Sequence, residues 1–493
     1  MTRSYARRTP RRAYARAVRF GLACTAFVVG GGLAAGCGSA SPPGPTARTT
    51  TEAAAHPAQP ASPGRLRTAT CTDLPGFRCS TLRVPLHRRG PAIGDGRRLT
   101  LAVAVQRVAR APKGDLVFLS GGPGQPGRPF GPRMVARLGD ALRGYRLVVL
   151  DQRGTGAQAL RCPPLQREVG TSDLAVPSRA ATVDCARRLG SARDAYATAD
   201  TVADLDALRG ALGDHRWTLA GVSYGVLVAE RYALAHPDRT RGLVLDSVVP
   251  QEGVELLERV PLRATARVLR TVCADERDRC PGDPARDLQA VLHRHPDLGP
   301  PLFDALTALS IGVPRLDPVP ALLHRARAGD LAPLRTLIRT VRGQESAPAE
   351  LFSAGLHAAT LCADGPAPWP GGPAAPAAAR TAALTRSRAA LRRRDTAPFP
   401  PSTALDQGLL QTCRWWPPTA APPPPPRGPI RAPALLLAGD HDLSTPLEWP
   451  RAQAARMANA RLVIVPGAGH SVLLRARDPR GRSALRTFLR DLR

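Results

Sequence analysis

The chain has 493 residues, more than one compact core requires, so one large domain with insertions, or two domains, is expected. An apolar content of 43% is that of a globular protein rather than a disordered one, and 52 prolines with 45 glycines imply many loops. The formal net charge of +30 comes almost wholly from arginine, with Lys113 the single lysine; the arginines are scattered and form no basic helix or aromatic-basic motif, so composition bias is preferred to nucleic-acid binding, leaving open some attraction to anionic cell-surface polymers.

The first 36 residues read as a signal peptide. "TRSYARRTPRRAYARAVR" is basic with no acid, and "FGLACTAFVVGGGLAAG" is an apolar run too short and glycine-rich for a membrane span. The junction "LAAGC" resembles a bacterial lipoprotein signal, in which Cys37 is lipidated and becomes the new N-terminus. Leu33 stands one place further from the cysteine than that pattern prefers, and plain secretion after an Ala-x-Ala-like site is the alternative. The pairs Arg7-Arg8 and Arg11-Arg12 match a twin-arginine route only in part. Residues 37–66 are rich in Ser, Thr, Pro and Ala, cannot bury a core, and read as a tether. The membrane is thus expected as a partner only through a lipid anchor.

Beyond the signal stand eight cysteines in sequence-near couples: Cys71 and Cys79, Cys162 and Cys185, Cys273 and Cys280, then Cys362 and Cys413. An even number in an exported chain suggests disulfides, although eight allow 105 connectivities. A zinc site is set aside, because no Cys-x-x-Cys pair or nearby histidine couple accompanies them.

Apolar runs then alternate with helical patterns. "TLRVPL" and "RLTLAVAVQRV" open as a pair of strands. "DLVFLS", "RLVVLD", "RWTLAG" and "GLVLDS" are short, rich in Leu and Val, and suit a parallel sheet covered on both faces. "TADTVADLDALRGALG" supplies a helix between them. From about residue 251 to 430 the chain is helix-rich and broken by proline, after which "APALLLAGD" and "ARLVIVPGAG" return as strands. The expected architecture is an α/β core in two parts, 67–250 and 431–493, interrupted by a helical cap insertion.

One stretch carries chemistry. "WTLAGVSYGVLVAERYALAHP" runs from a buried strand through Gly221-Val222-Ser223-Tyr224-Gly225 into a helix. Gly-x-Ser-x-Gly between strand and helix is the nucleophile elbow: the serine takes a strained turn, and bulk two residues to either side would collide with it. Serine needs a base and the base an orienting acid, which in this architecture follow in the order serine, acid, histidine. Asp440 and Asp442 follow one late strand and His470 follows the next; His441 is the weaker base. The Tyr224 amide is one oxyanion donor. "SGGPGQPG" offers the other: Pro123 has no N–H, so Gly122 comes first, with Gly121 and Gly124 in reserve. Glu252, Glu255 and Glu258 open the insertion and are candidates to hold a positively charged group of the substrate.

These pieces together resemble the secreted tripeptidyl aminopeptidases and prolyl-aminopeptidase-like α/β-hydrolases of actinobacteria, from about Cys71 to the C-terminus. "GGPGQ", "VVLDQRGTG", "DLDALRGALG", "LAGVSYG" and "RYALAHPDRTRGLVLDSVV" carry the likeness. The resemblance implies a Ser223–Asp442–His470 triad, since "GDHDLSTP" follows a pattern in which the acid precedes Thr-Pro by two residues. It also implies a Cys362–Cys413 bridge, from "ATLCAD" and "CRWWP". Ala157-Gln158 and Gln125-Pro126 depart from the family, which leaves the triad alone but bears on substrate shape. The implied activity is release of tripeptides or single residues from free N-termini, with a peptide as partner, no nucleic acid, and no metal or organic cofactor required. A carboxylesterase or lipase on the same triad is the alternative, and a non-catalytic peptide-binding lipoprotein comes third.

Overall fold

A computed structural model describes residues 65–89, 92–275 and 280–492. The expected signal peptide, Cys37 and all but the last two residues of the tether lie outside the described residues. Nine strands form one sheet: β1 (Arg67–Ala69), β2 (Phe77–Pro85), β3 (Arg98–Gln106), β4 (Asp115–Leu119), β5 (Arg146–Leu150), β6 (Trp217–Ser223), β7 (Thr240–Val248), β8 (Ala434–Gly439) and β9 (Ala460–Val465). Their order is β1-β2-β3-β5-β4-β6-β7-β8-β9. β1, β2 and β3 pair antiparallel, as does β3 with β5, and every later pairing is parallel.

The sequence explains this division. β4 and β8 are buried along their whole length, as a parallel strand covered on both faces must be, whereas β2 alternates buried and exposed positions. Two apolar clusters flank the sheet. One gathers Trp217, Leu219, Leu205, Leu208 and Tyr232 beneath the helices Thr198–Leu212 and Tyr224–Ala235; the other gathers Phe118, Val149, Leu435 and Leu485 beneath Arg480–Asp491.

Between β7 and β8 the described residues form helices and loops, apart from a single bridge between Ile311 and His470. They close a third apolar cluster, which also takes in Leu165, Cys185 and Tyr196 from the connection between β5 and β6. That connection, expected as part of the α/β core, thus packs with the insertion. The disulfides are Cys71–Cys79, Cys162–Cys185, Cys273–Cys280 and Cys362–Cys413.

Candidate active site

Ser223 ends β6 with φ 57° and ψ −125°, and the helix Tyr224–Ala235 starts at the next residue. A serine held there is strained, and the neighbouring glycines make the turn possible. A Cβ at Gly221 would run into the carbonyl oxygen of Gly225, and one at Gly225 into that of Leu119. The register between β6 and β7 shifts at Val222/Ser223, so the sheet releases the serine as its last rung is passed.

His470 and Asp442 come from the ends of β9 and β8. The imidazole Nδ1 lies 2.9 Å from Asp442 Oδ2. A carboxylate only accepts, so Nδ1 carries the proton and Nε2 is left as the basic nitrogen. Asp442 is fully buried, and Thr445 completes its shell: the hydroxyl donates to Oδ2 at 2.6 Å and the amide to Oδ1 at 2.9 Å. Burial disfavours the imidazolium, but the Asp442 charge and hydrogen bond outweigh it, so His470 titrates above the ordinary histidine range. Asp440 instead accepts the Gly467 amide at 2.8 Å, and His441 lies 3.2 Å from Asp275. Neither of these rivals touches His470.

Ser223 and His470 line one cavity, together with Gly121 and Gly122. No hydrogen bond joins the serine to the histidine in the structure; such bonds commonly tighten only when substrate arrives. Gly122, Ser223 and Tyr224 also line an adjoining apolar cavity walled by Leu227 and Leu409. A Cβ at Gly121 would sit 3.0 Å from that of Ser223, which fixes how closely this loop approaches the nucleophile. The Tyr224 side chain turns away to Thr198 at 3.0 Å, and burial pushes its phenol upward.

Of the three glutamates expected at the substrate amine, the structure brings one to the cavity. Glu252 pairs with Arg456 and Glu255 with Arg259, both away from Ser223. Glu252 is exposed and Glu255 half-buried, and the segment that carries them turns at Gly253 and at Glu258, both of positive φ. Glu258 lines the apolar cavity with Ser223 and Tyr224 and is only 7% exposed. Burial, followed by the charges of Asp173 and Glu255, raises its carboxyl well above the usual range.

Several site residues escaped the sequence reading. Asp173 lines both cavities and lies 3.2 Å from His357 Nε2, while His357 Nδ1 meets the Pro123 carbonyl at 3.0 Å. The Ser353 amide donates to Gly124 O at 3.0 Å, so the insertion holds the glycine loop beside Ser223. From the core side, Ser120 Oγ donates to Gln125 O at 2.8 Å and Gln152 Nε2 to Ser120 O at 3.1 Å. Asp246, at the end of β7, accepts the Val472 and Leu473 amides at 3.0 and 2.8 Å, while Ser247 Oγ takes the Ser471 amide at 2.7 Å. The turn carrying His470 hangs from that strand end. Burial raises the Asp246 carboxyl to about 6 even against those donors. The only sequence signal for these residues was "DQRGTG", whose Arg153 grips Asp204 with two bonds of 2.7 Å.

Residues 116–476 match the family model described as "alpha/beta hydrolase fold". The chain belongs to that family. It is 29% identical over 196 residues to the tripeptidyl aminopeptidase of Streptomyces coelicolor, a stretch that is 35% of each chain. It is 33% identical over 140 residues to a probable proline iminopeptidase of the same organism, 28% of this chain and 34% of that one. This α/β-hydrolase-fold chain therefore aligns with about a third of the length of either relative. Among solved structures, proline iminopeptidase of Mycobacterium smegmatis is 16% identical, with 83% of this chain and 98% of that one covered and a TM-score of 0.40.

Proposed function

We propose that this protein is an exported serine exopeptidase that releases short peptides or single residues from free N-termini. The observation that carries the reading is Glu258, a buried carboxylate without an arginine partner in a cavity that also exposes Ser223, with Asp173 beside it. An acyl pocket built for an ester has no use for an unpaired carboxyl group such as that of Glu258, whereas a peptide ammonium would supply its partner. The Streptomyces relatives, a tripeptidyl aminopeptidase and a probable proline iminopeptidase, lie in the same direction.

In this reading Ser223 Oγ attacks the scissile carbonyl while His470 Nε2 takes its proton. The imidazolium, held by Asp442, passes that proton to the leaving amine. Water then enters by the reverse route and frees the acyl group from Ser223. The amides of Gly122 and Tyr224 are assigned to the oxyanion. Neither step needs a metal or organic cofactor. The helical insertion acts as the cap that admits a chain end and excludes folded protein. Export through the N-terminal signal, with lipidation at Cys37, agrees with four disulfides in the folded chain.

The test is hydrolysis of an Ala-Pro-Ala anilide with a free amine against a short acyl ester, with Ser223→Ala as control. The anilide should be turned over, and the variant should lose both this activity and labelling by a fluorophosphonate. Ester hydrolysis alone would overturn the peptidase reading, and labelling retained in the variant would overturn the choice of serine.

A further inference from the structure

Arg475 ends the short helix Val472–Arg475 that follows His470. Its side chain lines the cavity of Ser223 and His470, and also a second cavity beside Gly312 and Arg477. Three buried arginines have partners within the protein: Arg153 pairs with Asp204, Arg231 with Asp364, and Arg380 with four backbone carbonyls. Among the described residues the Arg475 side chain has neither an ion-pair partner nor a hydrogen bond to the protein. Burial and then the charge of Arg133 push its guanidinium below its ordinary range, and no carboxylate counters them. Arg475 is half-buried, and a partly desolvated cation gains by pairing with an anion. The surroundings are shaped for it as well: Gly312, at φ +84°, lies so close that a Cβ there would stand 2.8 Å from an Arg475 Nη.

The charges around Ser223 are therefore unevenly placed. Of the two cavities there, Glu258 lines only the one that adjoins Tyr224, Asp173 lines both, and Arg475 lines only the one that holds His470, on the short helix that follows it. His470 must hand a proton to the leaving amine, so the leaving half of a peptide lies on the histidine's side. We propose that Arg475 is the binding site for a carboxylate on that leaving half, either the C-terminus of a short free peptide or an acidic side chain just after the scissile bond. A planar guanidinium grips a carboxylate with two parallel hydrogen bonds. The proposal rests on the exopeptidase reading. If the C-terminus is the ligand, the preferred substrates are oligopeptides a few residues long, anchored at both ends, rather than the N-termini of long chains.

The experiment compares kcat/KM for Ala-Pro-Ala-Ala as free acid and as C-terminal amide, and for Ala-Pro-Ala-Glu amide against Ala-Pro-Ala-Gln amide. Each pair is run with the wild type, Arg475→Gln and Arg475→Lys. A preference for the free acid of at least about tenfold, falling to near unity in Arg475→Gln and partly restored in Arg475→Lys, supports the C-terminal source. The same pattern in the Glu/Gln pair alone assigns the carboxylate to a side chain. No preference in either pair, or one that survives Arg475→Gln, overturns the proposal while leaving the exopeptidase reading intact. Should no peptide be cleaved, that reading falls, and the peptides then serve as protectants against fluorophosphonate inactivation. Better protection by the free acid or the Glu amide, lost in Arg475→Gln, still supports the site; equal protection overturns it. If Arg475→Gln fails to fold, the wild-type preferences decide alone.

Discussion

Replacing Glu258 by glutamine changes one charge in a site that is otherwise kept whole. In the free protein the carboxyl is buried in a cavity also lined by Leu361 and Leu409, and its raised pKa keeps it protonated into a range where ordinary glutamates are ionised. A substrate ammonium entering the cavity would draw that proton off and pair with the anion. Hydrogen bonds to charged groups are worth about 1.5–3 kcal/mol, and expelling the proton takes back part of the Coulomb gain. Glu258→Gln should therefore lower kcat/KM for a free-amine peptide by about 10- to 150-fold, at about 1.4 kcal/mol per tenfold. The same peptide N-acetylated has no ammonium, so its much lower kcat/KM should barely change.

The pH profile gives an independent reading. Two groups must lose protons before the wild type acts on an amine substrate: His470, to serve as base, and Glu258, to receive the ammonium. Both titrate above their ordinary ranges, so both deprotonations raise kcat/KM as pH rises. Glu258→Gln removes one, leaving a single limb set by His470. Stability runs the other way. A carboxyl whose folded pKa is raised stabilises the fold below its unfolded pKa and loses that contribution as pH rises through the folded one, so at neutral pH the variant should be at least as stable as the wild type. An equal loss on free and acetylated peptides, or an unchanged pH profile, would refute the ammonium argument and leave Glu258 as packing.

Asp442→Asn should cost about 10⁴-fold in kcat by analogy with other triads, because the amide cannot hold the imidazolium; Asp440→Asn, which loses only the Gly467 amide, should cost far less, and steady-state kinetics on one peptide decides. Replacing both Cys362 and Cys413 by serine opens a link spanning 51 residues and should remove about 4 kcal/mol from the unfolding free energy in denaturant, against about 2.5 for the seven-residue Cys273–Cys280 link. Cys37→Ala should shift the protein from the membrane fraction to the medium, as followed by immunoblot of fractionated cells; unchanged fractionation refutes lipidation.

The sheet was legible because each parallel strand is a short apolar run that no other element imitates. "DLVFLS" and "RLVVLD" became β4 and β5 almost to the residue. The three-residue β1 could not be read, since Arg67-Thr68-Ala69 has no apolar pattern and pairs only because β2 lies beside it. The elbow was legible for a different reason. Gly221 answers to a collision with the Gly225 carbonyl four residues on, and Gly225 to one with the neighbouring strand at Leu119, so both glycines sit within the same five letters.

The substrate groups leave no such mark. Glu252, Glu255 and Glu258 sit at a helix-like spacing of three, which on sequence makes them equals. What separates them is burial and pairing: Glu258 is buried at a turn of positive φ, while Glu252 pairs with Arg456 and Glu255 with Arg259. Asp173 and His357 lie 184 positions apart and meet only because the connection between β5 and β6 packs into the insertion's core rather than the sheet's. That packing puts the glycine loop beside Ser223 under joint control. Ser120 and Gln152 hold it from the sheet, and Ser353 and His357 hold it from the insertion. The arrangement of Ser223, Asp442 and His470 is thus written into the core, while the glycine loop beside Ser223 is held by the insertion as well. In the proposed reading, a change in the insertion should therefore alter turnover without touching those three residues.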